Sequence, residues 1–218
     1  MSACAELVSG EKVCDIGTDH AYLVAELLSA GKCRTAVAAD INEKPLACAR
    51  ATLEKYGLSD KVELILSDGL KNIPPDGITD VVIAGMGAEL IFDIISDCEW
   101  LKNGVNLVLQ PMTRTPYLRK MLCRNGYQIL KEIIVIDGKY CYTVINARYS
   151  GILHEIDEIT ENIGTADLSL PDTRIYVQRE YERIYKIGKS LADSGHKAEA
   201  ASCLALADKI KAILERND

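Results

Sequence analysis

The 218-residue sequence holds one Trp and one Phe. Its core must therefore be built from Val, Ile, Leu and Ala, the composition of parallel strands covered by helices on both faces. None of the eight cysteines belongs to a C-x-x-C pair, and several sit inside apolar runs, so they read as reduced, buried thiols and not as a disulfide or zinc framework. No stretch reaches ~18 consecutive apolar residues, and the start lacks a basic region followed by an apolar one. A soluble, non-exported, cytoplasmic chain is the expectation. His154 and His196 stand without a ligand set at metal spacing, so no metal is expected. A net charge of −7 argues against nucleic acid for the molecule as a whole. Yet acid is absent between Glu99 and Glu132, where Lys102, Arg114, Arg119, Lys120, Arg124 and Lys131 supply six positive charges. Arg114, Arg119, Lys120 and Arg124 are the candidates for contact with a phosphate backbone.

Up to about residue 150 short β-rich runs alternate with amphipathic helical stretches, the grammar of a parallel sheet with crossover helices. Strands are expected at Val13–Ile16, Thr35–Ala39, Val62–Leu66, Asp80–Ala84 and Val105–Leu109. Gly85-Met86-Gly87 and Gln110-Pro111-Met112 are read as the exit turns of the fourth and fifth. Two further extended runs, Tyr127–Ile136 and Tyr140–Tyr149, meet at Asp137-Gly138-Lys139, a hairpin signal that adds antiparallel pairing. From Gly151 onward only charged segments with helical spacing follow. The expected division is a Rossmann-like α/β domain over 1–150 and a small helical domain over 151–218, as a monomer or weak dimer.

The turn after the first strand, Asp15-Ile16-Gly17-Thr18-Asp19-His20, carries one of the three glycines of a dinucleotide fingerprint and two carboxylates besides. Those acids would repel a diphosphate and suit a cationic ligand such as S-adenosylmethionine, although both would also serve as turn or helix-cap residues. Asp40, followed by Ile41, ends the second strand, where an acid can accept from ribose hydroxyls. Asp68-Gly69 ends the third, where a carboxylate can meet an adenine amino group. Ala84-Gly85-Met86-Gly87 ends the fourth, where donor and acceptor would meet. The [D/N]-P-P-[Y/F] sequence that serves exocyclic amines is absent there, which fits a ring-nitrogen acceptor that needs mainly placement. His20 and Tyr22 are the nearest general-base or stacking candidates, with Gly85, Met86 and Gly87 as the other acceptor-side residues. His20 reads equally well as a structural residue of a helix's first turn.

Together CDIGTDHAYL, the acidic end of AVAADIN, LSDGL, DVVIAGMGAELI, LVLQPM and IDGKYCYTVI resemble the TrmK family of bacterial tRNA (adenine(22)-N1)-methyltransferases across most of residues 13–146. That resemblance implies a class I methyltransferase with a mixed seven-stranded sheet and a coiled-coil-like helical C-terminus. It also implies S-adenosylmethionine as donor and N1 of a tRNA adenine as acceptor. Family members carry a further helical stretch ahead of this start, and Ala88 stands where a glycine usually follows I-A-G-M-G. A small-molecule methyltransferase and a non-catalytic RNA-binding protein that keeps the fold are the alternatives.

Overall fold

A computed structural model describes residues 2–165 and 167–216. One seven-stranded sheet has the order β3-β2-β1-β4-β5-β7-β6. Strands β1 (Lys12–Ile16), β2 (Thr35–Asp40), β3 (Val62–Leu66), β4 (Asp80–Gly87) and β5 (Asn106–Thr113) are parallel. β7 (Tyr140–Tyr149) runs antiparallel between β5 and β6 (Tyr127–Asp137). The central strands are buried on both faces, Val13, Val37, Val81, Val82 and Leu107 among them. Helices cover them: α1 (Ser2–Leu7), α2 (Tyr22–Ser29) and α3 (Glu43–Tyr56) pack with one apolar cluster, α4 (Ala88–Ser96) and α5 (Thr115–Arg124) with the other.

Two elements are longer than the sequence suggests. β4 and β5 continue side by side through the segments read as exit turns, with register shifts around Met86. The pairing survives because Gly85, at φ +78°, absorbs the irregularity that a side chain would resist. β6 carries a bulge at Leu130, so that Tyr127 and Ile129 share a face with the even residues Glu132, Ile134 and Ile136 beyond it.

The C-terminal helices are α6 (Glu158–Ile163), α7 (Pro171–Asp193) and α8 (Lys197–Arg216). Their apolar stripe is not self-contained. Tyr176, Val177, Ile184, Ala207, Ile210 and Leu214 pack together with Ile134, Ile136 and Cys141 of the β6–β7 hairpin, so the helices share a core with one face of the sheet's end. A buried ion pair pins this junction: Arg119 Nε on α5 donates to Glu132 Oε1 on β6 at 2.8 Å. The same guanidinium donates to the carbonyls of Glu161 and Asn162, and Glu132 Oε2 accepts from Thr165 N.

That latch corrects one expectation for the basic stretch. Arg119 is 0% exposed and has no face with which to meet RNA. The other five cations are surface residues, but each meets an acid that lies outside the stretch or at its border: Lys102 with Glu99, Arg114 with Glu89, Lys120 with Glu161, Arg124 with Glu155 and Lys131 with Glu6. A run without acid in sequence is neutralised by acids the fold delivers from elsewhere. No helix among the described residues is long and apolar enough to cross a membrane, and none of their His, Cys, Asp and Glu side chains cluster as a metal site.

Candidate active site

The carboxyl ends of β1, β2 and β3 are knitted by backbone hydrogen bonds. Gly17 N and Thr18 N both donate to Ala39 O, at 2.8 and 3.0 Å, and Ser67 N donates to Asp40 O at 2.9 Å. This edge of an open α/β sheet is where the fold leaves a crevice. A cavity of about 660 Å³ opens there, walled by the β1 turn, by Ala84 and Gly85 of β4, by Gln110 of β5 and by Tyr142 of the hairpin. Ser2, Ala3 and Cys4 of α1 also border it.

Asp15 is the charged group set deepest in this wall, 8% exposed. Burial pushes its carboxyl up to about 6, the Thr18 hydroxyl pulling the other way, and no cationic side chain among the described residues offsets the desolvation. A carboxyl so placed is a receptor for a positive charge brought from outside. The capping alternative does not hold, since α2 has no side-chain cap: its N-cap is Ala21 in the left-handed region at φ +52°. That conformation is costly for a residue with a Cβ. It turns His20 and Tyr22 so that their rings stack at 5.2 Å with 14° between planes. Asp19 stands beside them, its carboxylate 3.3 Å from His20 Nε2, and Tyr22 is 49% exposed.

Gly17 is required by its backbone, whose φ is +78°. A Cβ there would meet only the terminal methyl of Met86, the end of a flexible side chain that can swing aside, so the β1 turn and the β4 exit touch through Met86. Gln110 fixes the same exit: its Oε1 accepts from Gly85 N at 3.1 Å while its Nε2 donates to Pro111 O at 2.9 Å.

Of the expected site residues, Asp15, Gly17, Asp19, His20, Tyr22, Ala84 and Gly85 wall the one cavity. Asp40 and Ile41 lie at the next strand end, outside the cavity lining; Asp40 Oδ1 accepts from Asn42 N at 2.8 Å, and Ile41 is exposed. Asp68 is one strand further and borders a separate groove, bound to Lys71 at 2.6 Å. Gly69 beside it lies under Ile94, and Gly87 leads into α4. Gln110, Tyr142 and the start of α1 join the site without having been anticipated. Gln110 is legible only once β5 is known to continue past Leu109. Tyr142 was open to discovery, because strict alternation along the hairpin assigns it to one face with Val144.

Residues 1–145 match the family described as a methyltransferase domain. The tRNA (adenine(22)-N(1))-methyltransferase of Bacillus subtilis is 32% identical over 152 residues, which is 66% of this chain and 64% of that protein. The match thus spans somewhat less than two thirds of that relative's length. Among solved structures, a putative tRNA (m1A22) methyltransferase of Streptococcus pneumoniae superposes with a TM-score of 0.86 at 28% identity, over 98% of this chain and 97% of that one. The same S. pneumoniae protein in complex with S-adenosyl-L-methionine superposes at 0.83 with 27% identity, over 96% of each chain. On these matches the chain belongs to the methyltransferase-domain family.

Proposed function

We propose that this chain transfers the methyl group of S-adenosylmethionine to N1 of an adenine in tRNA, at position 22 as in the relative named for it, and that it works in the cytoplasm. The observation that carries the reading is the buried Asp15 carboxylate, which faces the cavity with no cationic side chain among the described residues to neutralise it. Asp15 and Asp19 would hold the methionine end with its ammonium, Gly17 would admit the ligand to backbone distance, and Asp40 with Ile41 would take the ribose and adenine edge. Asp68 reaches that ligand only by leaving Lys71.

When bound, the donor supplies a methyl group on a positively charged sulfur. Attack by N1, whose lone pair lies in the ring plane, moves that positive charge from sulfur to the adenine ring. The number of positive charges in the site is therefore the same before and after transfer: the ammonium stays, and the second charge passes from sulfur to the ring. Asp15 and Asp19 serve both states, and the chain has no need of a general base. His20 and Tyr22 act by shape, as a stacked aromatic wall on the β1 side of the cavity, with Gly85, Met86 and Gly87 leaving room for a flat base.

For the RNA a cleft of about 860 Å³ between the hairpin and the C-terminal helices is favoured. There Lys139 and Arg179 add to Arg114, Lys120 and Arg183, whose ion-pair partners are Glu89, Glu161 and Glu180. This local excess supports a polynucleotide and speaks against a small-molecule acceptor. Incubation with labelled S-adenosylmethionine and unmodified tRNA, followed by mapping of 1-methyladenine, tests the proposal. The expected product is a single modified adenine; cofactor binding without any transfer to tRNA overturns the substrate assignment.

A further inference from the structure

The β6–β7 hairpin has two chemically different faces, and the reading above uses only one. Ile134, Ile136 and Cys141 join the core of the C-terminal helices, and Cys141 and Thr143 also line the basic cleft. The opposite face carries Val135, Tyr142 and Val144, which wall the cavity. Tyr140 lies two residues from Tyr142 on that same face; the two rings are 6.2 Å apart, tilted by 33°. Tyr140 is 55% exposed, with Lys139 Nζ 5.2 Å above its ring. Lys139 O accepts from Arg179 of α7 at 3.1 Å, so the tip is tethered to the helices.

The sheet order puts β4 and β5 between the β1 turn and this hairpin. His20 and Tyr22 therefore approach the cavity from one side and Tyr142 from the other. The β4 exit between them, Gly85-Met86-Gly87, offers no ring at all. An adenine presented for methylation has left its own stack and needs an aromatic face in exchange.

The geometry points to Tyr142 as the stacking wall for the extruded acceptor base, and to Tyr140, beneath the Lys139 ammonium, as the seat for the adjoining nucleotide. The pair forms a two-step platform leading from the protein surface into the cavity. Lys139 supplies the charge for the intervening phosphate, and the tether to Arg179 holds the platform in place before RNA arrives. This assignment rests on the RNA reading above and specifies which residues position the base.

The test uses the full chain and a tRNA carrying 2-aminopurine in place of the acceptor adenine, whose fluorescence falls when the base stacks and which requires no turnover. Bound to the wild type the base should stay quenched, one stack exchanged for another. Tyr142→Leu, which keeps apolar bulk and removes the ring, should lose the quench and lower transfer to ordinary tRNA by about ten- to hundredfold, the range for one lost base–aromatic stack. S-adenosylmethionine affinity by calorimetry should not change, and Tyr142→Phe should restore both quench and transfer. Tyr140→Leu should raise KM for tRNA with kcat little altered. An unchanged quench in Tyr142→Leu, or a Tyr142→Phe variant as impaired as the leucine one, overturns the platform. Wild type that quenches but forms no 1-methyladenine defeats the methylation reading alone, and the platform stands.

Discussion

With S-adenosylmethionine held at Asp15 as proposed, ligand binding is coupled to the protonation of this carboxyl. Its carboxyl is raised from 3.8 to about 6 by burial. Below about pH 4 it is protonated whether the chain is folded or not. Between the two values the folded state keeps the proton that the unfolded state has released, so stability declines as pH rises and levels off above 6. Two pKa units correspond to at most about 3 kcal/mol. Asp15→Asn should therefore raise the ligand-free melting temperature at pH 8, with the gain shrinking toward pH 4. The same variant should weaken S-adenosylmethionine binding by more than about tenfold, since an opposite charge is lost. In the wild type, affinity measured by calorimetry should drop about tenfold per pH unit below 6, where binding must first expel the proton. Gly17→Ala should cost about 1–2 kcal/mol for its left-handed backbone and displace Met86. Pairing it with Met86→Ala should recover part of the lost transfer activity but not the backbone strain, a distinction that melting curves and rates together resolve. Asp15 and Gly17 were both legible in the sequence, because a strand end followed by a glycine turn fixes where the side chain and the backbone must go. Arg119 was not, since its partner Glu132 is supplied by the next strand and its burial by helices much later in the chain.

Among the elements, the junction of α5, β6 and α6 carries the heaviest electrostatic stake. Removing one member of the Arg119–Glu132 pair leaves a charge buried without its partner, and Arg119→Ala should lower stability by about 3–5 kcal/mol in urea unfolding. It should also expose the segment around residues 151–157 to proteolysis, because the same guanidinium holds the end of α6. Arg119→Met with Glu132→Leu, which removes both charges, should restore much of that loss. The strands β1 and β2 could be drawn from their apolar runs to within a residue or two, because each is buried along nearly its whole length; β3, partly buried at the sheet edge, kept its expected bounds as well. β4 and β5 ran past their expected ends for a different reason: pairing between two adjacent edges stabilises glycine and proline segments that would be turns on their own. The bulge at Leu130 likewise hides the period of β6, whose apolar residues change parity halfway along.

For the whole molecule the question raised by the proposed tRNA substrate is how a chain of net charge −7 would engage a polyanion. The proposed answer is one cleft in which Lys139 and Arg179 join Arg114, Lys120 and Arg183, the last three ion-paired with Glu89, Glu161 and Glu180. KM for tRNA should rise steeply with salt while S-adenosylmethionine affinity barely moves, each phosphate contact adding about 0.7–0.9 to the log–log slope. Charge removal at Arg179 and Arg183 together should flatten that slope, whereas Arg124→Ala, whose partner Glu155 lies outside the cleft, should leave it unchanged. The sequence alone pointed to residues 114–124 for this role, and it could not anticipate a cleft assembled from four separate segments. The two faces of β7 bind these features into one constraint. Tyr142 and Val144 look into the cavity, Cys141 and Thr143 toward the cleft and the helices. A single inserted or deleted residue in this strand would exchange the two sets wholesale. Either face can change its chemistry residue by residue without the other noticing, but the strand's length is held in common, so base pocket and backbone cleft can diverge in composition and never in phase.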